Sequence, residues 1–281
     1  MNAASGGPGG VRQAIVVDEL GIAIGVHEAY RLKSAYQLLF SKEGDRLVPI
    51  GVKASIVPFA AGKQVAFADF LATVTPAKLP LVASLGCALG LANYGNLDSD
   101  GLDLWIGHDP LLHGDVSLWF ADAIEPDAFE SPARPRKIFC ELAGMADPQA
   151  LQKAGAAMRA QGIAFAIEAL GPNRFAEEQI GPIGPDVVKV DAGWLAQACQ
   201  DTATARLLAT VVSRLRGRGI KVLVEGIAGA AHLRSALDCE ADLFQGDYLG
   251  GAVLGGAIFE TDPQPIQRLL TEGQRDVRLF G

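Results

Sequence analysis

Positive charge, paired cysteines and long apolar runs are all in short supply in this sequence. Lysine and arginine number 24 against 32 acids, which leaves a net charge of −8. That balance argues against a nucleic-acid polymer as the main partner. A small anionic ligand stays open, because one local lysine or arginine can offset a global charge. The four cysteines, Cys87, Cys140, Cys199 and Cys239, lie far apart in apolar contexts. No two have metal-site spacing, so they read as buried, reduced thiols. No apolar run reaches roughly 18 residues, so no membrane span is expected. The start, Met1 to Gly10, lacks the basic-then-apolar order of a signal peptide and reads as a flexible tail on a cytoplasmic protein.

What is present is a large apolar content, 49%, with 33 glycines. Such a chain buries a sizeable core and does not suit disorder. Four apolar runs end in an acid. Ile138-Phe139-Cys140 ends at Glu141, Ile163 to Ile167 at Glu168, Val187 to Val190 at Asp191, and Val222-Leu223-Val224 at Glu225. Helix-like segments separate them.

The element order follows from these patterns. Val11 to Lys33 is expected to hold a helix, weakened by Gly21 and Gly25. Ala35–Ser41 and Leu47–Val57 read as an antiparallel hairpin about a polar turn, since the link is too short for a crossover. Pro58 to Gly62 reads as loop. Helices are expected over Val65–Val74 and Leu79–Tyr94, the second packed closely through Gly86 and Gly90. From Leu102, strands at Leu102–Ile106, Lys137–Leu142, Ala164–Leu170, Val187–Asp191, Lys221–Glu225 and Ala241–Gln245 alternate with helices. Those helices include a segment to about Ala123, Pro148–Gln161, a short one near Arg174–Gln179, a single long one over Leu195–Arg216, and Gly229–Leu237. Ile124 to Pro135 reads as loop. About eight strands, six of them in alternation, and no Gly-rich nucleotide fingerprint favour a closed (β/α) barrel over an open sheet. The expected organisation is a tail over 1–11, one barrel over 12–262, and a C-terminal helix and tail over 263–281.

Function in such barrels sits at the carboxyl ends of the strands, where Glu141, Glu168, Asp191, Glu225 and Gln245 all fall. Converging carboxylates with one amide suit Mg²⁺, Mn²⁺ or Ca²⁺, and two such ions can drive phosphodiester hydrolysis. The plainer alternative is that each acid caps the next helix or pairs with a base. Lys189 lies within an apolar strand and needs an anionic partner. That partner is Glu168 or Glu141, or else the lysine serves a phosphate or a nucleophilic water. The histidines, His27, His108, His113 and His232, are scattered and read as structural or solvated. Asp109, followed by Pro110, reads as a helix cap.

Lys189-Val190-Asp191, then Glu225-Gly226-Ile227, then Gln245-Gly246-Asp247-Tyr248 resemble the Lys-Ile-Asp, Glu-Gly-Val-Glu and Gln-Gly-Tyr signatures of EAL domains. Tyr36-Gln37 stands where that family has a Tyr-Gln-Pro strand, and the likeness covers roughly residues 30 to 255. The resemblance implies an α/β fold, a modified TIM (β/α)8 barrel with an antiparallel first strand. It also implies a bacterial signalling role as a cyclic di-GMP phosphodiesterase that uses two divalent ions and yields pGpG.

Carried over residue by residue, the motif that names the family falls at Lys53-Ala54-Ser55, so a lysine replaces its metal-binding glutamate. The ligand-gripping arginine becomes Val57, and the third-strand asparagine becomes Trp105. The paired aspartates become Glu168 and Ala169, and the second glutamate of the Glu-Gly-Val-Glu motif becomes Ala228. Leu249 and Ala252 stand at the guanine-holding positions. Glu141, Glu168, Lys189, Asp191, Glu225 and Gln245 remain as remnants. Gln37, Glu225, Gln245 and Tyr248 are the candidates for any ligand contact. Like charges 4 Å apart at an effective dielectric near 20 repel by about 4 kcal/mol, and a divalent ion feels about twice that. No metal site is therefore expected, and Lys53 is expected to pair with Glu141 or Glu168. No cofactor is expected; Mg²⁺ or Mn²⁺ enters only if the chain is a phosphodiesterase. The implied function is a catalytically inactive, EAL-like regulator acting on an unidentified protein partner, with an apolar segment around Trp105, Leu118, Trp119 and Phe120 as a candidate surface. The alternatives are a non-hydrolysing cyclic di-GMP receptor and a weak metal-dependent phosphodiesterase. No sensor, cyclase or helix-turn-helix segment is recognisable, which likens the chain to stand-alone members. A homodimer is open by analogy.

Overall fold

A computed structural model describes residues 8–97, 101–108, 135–142, 147–170, 177–257 and 260–271. The chain begins with α1 (Pro8–Gln13), β1 (Ile15–Val17) and β2 (Ala23–His27), followed by the long hairpin of β3 (Tyr30–Glu43) and β4 (Arg46–Ala60). Next come β5 (Lys63–Gln64), α2 (Phe67–Thr73), α3 (Leu79–Ala92), β6 (Asp103–His108) and β7 (Ile138–Leu142). The regular alternation continues with α4 (Pro148–Ala160), β8 (Ala164–Leu170), α5 (Glu177–Ile183), β9 (Val187–Val190), α6 (Ala192–Gln200), α7 (Thr202–Gly217), β10 (Lys221–Val224), α8 (Ala230–Asp238) and β11 (Leu243–Phe244). Short strands β12 (Val253–Leu254) and β13 (Gln264–Pro265) precede a helical segment at 266–271.

The strand order is β3-β11-β10-β9-β8-β7-β6-β4, and β3 also pairs with β4. The circuit closes as an eight-stranded mixed α/β barrel. β11 runs antiparallel to β3, whereas β8, β9, β10 and β11 are mutually parallel. The barrel with an antiparallel first strand is thus present. Two compact units make up the chain: Met1–Tyr36, Lys53–Gly144 and Val253–Phe259 form the first, and Gln37–Val52, Met145–Ala252 and Glu260–Gly281 the second.

In the first unit, only Val11–Gln13 of the span expected to hold a helix, Val11–Lys33, is helical, in α1; strands take most of the rest. Asp18 Oδ1 accepts from the Leu20 and Ile22 amides at 3.0 and 2.9 Å, and Gly21 turns at φ 80°. That turn folds β1 onto β2. Along β2, Ala23, Gly25 and His27 alternate inward, so a period of two overrides the helical reading. A Cβ on Gly25 would lie 3.1 Å from Leu89 Cδ1, so glycine lets α3 approach. The core here gathers Leu32, Phe70, Val82, Leu85 and Leu89. Close packing at Gly90 is as expected, with a Cβ there only 2.7 Å from Ala54 Cβ. Pro58–Gly62 is no loop: β4 runs to Ala60 and turns through Ala61 and Gly62 into β5. Asn93, fully buried, bonds the Ala23 amide at 2.7 Å, and the Ala23 carbonyl and Ser34 Oγ at 2.8 Å each.

In the second unit, β9 is buried at all four positions, as parallel barrel strands are. Gly155 lets α4 lie on the Phe165 ring, where a Cβ would come within 2.3 Å. The single helix expected over Leu195–Arg216 is two. Asp201 leaves the helical backbone and caps α7 through the Thr204 amide at 2.8 Å. The short helix expected near Arg174–Gln179 is α5, with Pro182 inside it, and residues 171–176 lie outside the described set. The segments expected over 109–134, with Asp109, His113, Leu118, Trp119 and Phe120, lie outside it too. Among the described residues no single helix is long and apolar enough to cross a membrane. None of the four cysteines forms a disulfide; Cys87, Cys140 and Cys239 are buried and Cys199 half-buried.

Candidate functional site

Acids sit at both ends of the strands, and the two sets differ in use. At strand starts they hold the scaffold. Asp103 takes Arg136 through two bonds of 2.9 and 3.0 Å. Asp186 accepts from the Phe165 amide at 3.0 Å and Asp242 from the Val222 amide at 2.9 Å. Sequence reasoning passed over these three; an acid just before or at the first residue of an apolar run was their signal. At the carboxyl ends lie Glu141, Glu168, Asp191, Glu225 and Gln245, the end where barrel chemistry is placed.

In the first unit, Lys53 on β4 meets Glu141 on β7. The Nζ to Oε2 distance is 2.8 Å, with side chains 27% and 7% exposed. Glu141, one of the two partners expected for Lys53, is observed in that role. Trp105 and Phe139 face each other across β6 and β7, with rings stacked at 4.3 Å and 5°. They stand two residues before Gly107 and Glu141, hence on the same face. Trp105 is fully buried and its Nε1 finds no hydrogen-bond acceptor among the described residues. The surface role expected around Trp105 therefore fails at that residue, because its ring stacks within the sheet. Val57, half-buried, brings no charge to this end.

In the second unit, Lys189 is buried and its Nζ lies 3.0 Å from Glu225 Oε1. Glu168 or Glu141 was the structural partner expected from the sequence; an ion pair with Glu225 is observed. Lys189 stands opposite Leu223, so Glu225 is two residues onward on the same face of the next strand, within reach of the lysine stem. Glu168 is half-buried and stands across from Lys189, with the ladder shifting register before Leu170. Asp191 caps α6 through the Trp194 amide at 3.0 Å, the plainer of its two expected roles.

Gln245, 2% exposed, donates from Nε2 to Gln37 Oε1 at 3.1 Å. Gln37 in turn donates to Asp247 Oδ1 at 2.9 Å and to the Gly250 carbonyl at 3.0 Å. Gln245 Oε1 is buried without a hydrogen-bond donor among the described residues. Asp247 completes this chain of amides, and the Gln-Gly loop that carries it was its only sequence signal. The loop is tied to its neighbour by backbone: Ile227 N donates to Gln245 O and Tyr248 N to Ile227 O, both at 3.1 Å. A Cβ on Gly246 would lie 2.2 Å from Ile227 O, so only glycine fits. Tyr248 donates its hydroxyl to the Leu269 carbonyl. Ala228 is exposed and its amide meets His232 Nδ1 at 3.4 Å. Leu249 is buried and Ala252 exposed.

Among the described residues no group of three or more His, Cys, Asp or Glu side chains is arranged to hold a metal ion. Among the described strand-end residues, the first unit instead offers a carboxylate–ammonium pair, and the second unit offers another together with a capping aspartate and a side-chain amide relay.

Comparison with protein families matches residues 106–252, more than half of the chain, to the EAL domain. No curated protein matches. Solved structures of similar fold include the YkuI protein of Bacillus subtilis, with an EAL domain, in complex with substrate c-di-GMP and calcium. It gives a TM-score of 0.66 at 23% identity, over 88% of this chain and 61% of that one. BlrP1 of Klebsiella pneumoniae, in a manganese and cyclic di-GMP complex, gives 0.66 at 19% identity, over 83% and 57%. A standalone EAL protein from Vibrio cholerae O395, in its c-di-GMP-bound form, gives 0.62 at 15% identity, over 82% and 95%. The chain spans less than two thirds of the length of the first two, and at these identities the likeness is one of fold. Strand order, the direction of the first strand and the match over more than half of the sequence agree, and the protein belongs to the EAL domain family.

Proposed function

We propose that this chain is a regulatory member of its family in cyclic di-GMP-linked signalling that does not hydrolyse the nucleotide and works through a protein partner. The observation that carries this reading is the Lys53–Glu141 ion pair at 2.8 Å. The solved relatives were captured with calcium or manganese, so the fold implies a divalent ion, and the residues here do not fit one. The strand-end carboxylate of the first unit is already neutralised by an ammonium. Trp105, at the position matched to a ligating asparagine, offers an indole with no lone pair for a cation. In the second unit Glu225 is neutralised by Lys189, and one Asp191 oxygen is taken up in a cap. Val57 and Ala252 lack the groups that would grip a phosphate and a guanine.

A second reading, binding without hydrolysis, is favoured by one feature. Gln245 presents a buried, unfilled acceptor beside the Gln37–Asp247 relay, and such an atom is stabilised by a donor from a ligand or a water. Calorimetry with cyclic di-GMP separates the two. Absence of heat at tens of micromolar ligand, with or without Mn²⁺, supports the protein-partner role. A saturable signal that survives EDTA selects the receptor. A signal that requires Mn²⁺ sinks both.

A further inference from the structure

Glu141 is an acid held in a nearly closed place, its side chain 7% exposed. An ionised carboxylate there needs a cation beside it. The Lys53 ammonium meets that need from within the chain, at 2.8 Å. Carboxylate and ammonium together sum to zero charge. The stacked Trp105 and Phe139 rings, 4.3 Å apart on the same face, add no oxygen donor. A divalent ion brought to Glu141 would stand close to the ammonium and be repelled about twice as strongly as a unit charge.

We propose that Lys53 is a tethered counter-ion that keeps Glu141 ionised without metal, and that this single side chain sets the metal preference of the first unit. Removing the ammonium takes away the cation that stands 2.8 Å from this buried carboxylate. Replacing it with a carboxylate, Lys53→Glu, puts two carboxylates and a charge of about −2 there, the arrangement that suits Mg²⁺ or Mn²⁺. The proposal rests on the metal-independent reading above and adds to it that the exclusion of metal is reversible at one position.

The test is thermal unfolding of the full chain, freed of metal with EDTA and then titrated with MnCl₂ or MgCl₂. The wild-type melting temperature is expected to stay fixed. Lys53→Glu is expected to melt lower in EDTA and to recover saturably with Mn²⁺, by about 5 °C at saturation. The added substitution Glu141→Gln removes that recovery, and Lys53→Arg, which keeps the charge, stays unresponsive. Folding of Lys53→Glu only when Mn²⁺ is present also supports the proposal. If Lys53→Glu folds under neither condition, Lys53→Met takes its place and is expected to gain a weaker Mn²⁺ response. A folded Lys53→Glu, or failing that Lys53→Met, that ignores the ion overturns the tethered counter-ion alone. A saturable rise in the wild type that Glu141→Gln abolishes overturns it together with the metal-independent reading.

Discussion

At the scale of single residues, the pairs and relays are decided by strand register and side-chain length. The sequence shows that Lys189 is buried in an apolar strand, but not which acid its stem reaches. Register supplies that, because Glu225 lies two residues beyond the partner of Lys189 on the next strand. Lys53 with Glu141 was legible because a lysine in an acid's place among acids has few destinations. Asn93 was not legible, since nothing local distinguishes a buried asparagine from a turn residue. Lys53→Met is expected to cost about 2–3 kcal/mol in denaturant unfolding, below the range for fully buried pairs because the lysine is partly exposed. Adding Glu141→Gln should restore part of that loss, since the carboxylate that faced the ammonium is then neutral. His27 supplies a pH test. Burial lowers its pKa from the usual 6.5; Glu28 opposes and Lys78 reinforces the shift. The folded state therefore holds fewer protons there than the unfolded chain as pH falls below about 6.5. Stability should be level above that value and decline below it until His27 protonates in the folded state. Urea midpoints between pH 7.5 and 5 should show the decline, and His27→Gln should flatten it.

At the scale of elements, the described part of the alternating half was read nearly as it folds, since long periodic segments with glycine and proline punctuation leave few choices. Two misreadings share a cause: a local polar group broke a pattern that looked continuous. Asp18 and Gly21 turn a nominal helix into a hairpin, and Asp201 divides a nominal long helix in two. The same capping bears on Asp191, whose Ala substitution is expected to cost about 1 kcal/mol through the start of α6. The Gln245–Leu249 turn is less forgiving. Gly246→Ala drives a methyl against the Ile227 carbonyl and is expected to cost about 3 kcal/mol. Because that turn aligns Gln245 with Gln37, the variant should also broaden the Gln side-chain amide signals in NMR spectra. An unchanged midpoint for Gly246→Ala would mean that the two loops are not held by this close approach.

At the scale of the whole molecule, the barrel and its antiparallel first strand keep the family's frame, while two lysines occupy carboxylates at the end where such barrels act. On the reading proposed above, the frame is kept without its metal chemistry and the part in signalling does not depend on turnover. The most direct test is to incubate the purified chain with cyclic di-GMP and either Mg²⁺ or Mn²⁺, beside an active EAL phosphodiesterase, and to follow the products by chromatography. The account predicts no pGpG above the buffer control in any metal; pGpG that accumulates with time and disappears with EDTA would contradict it.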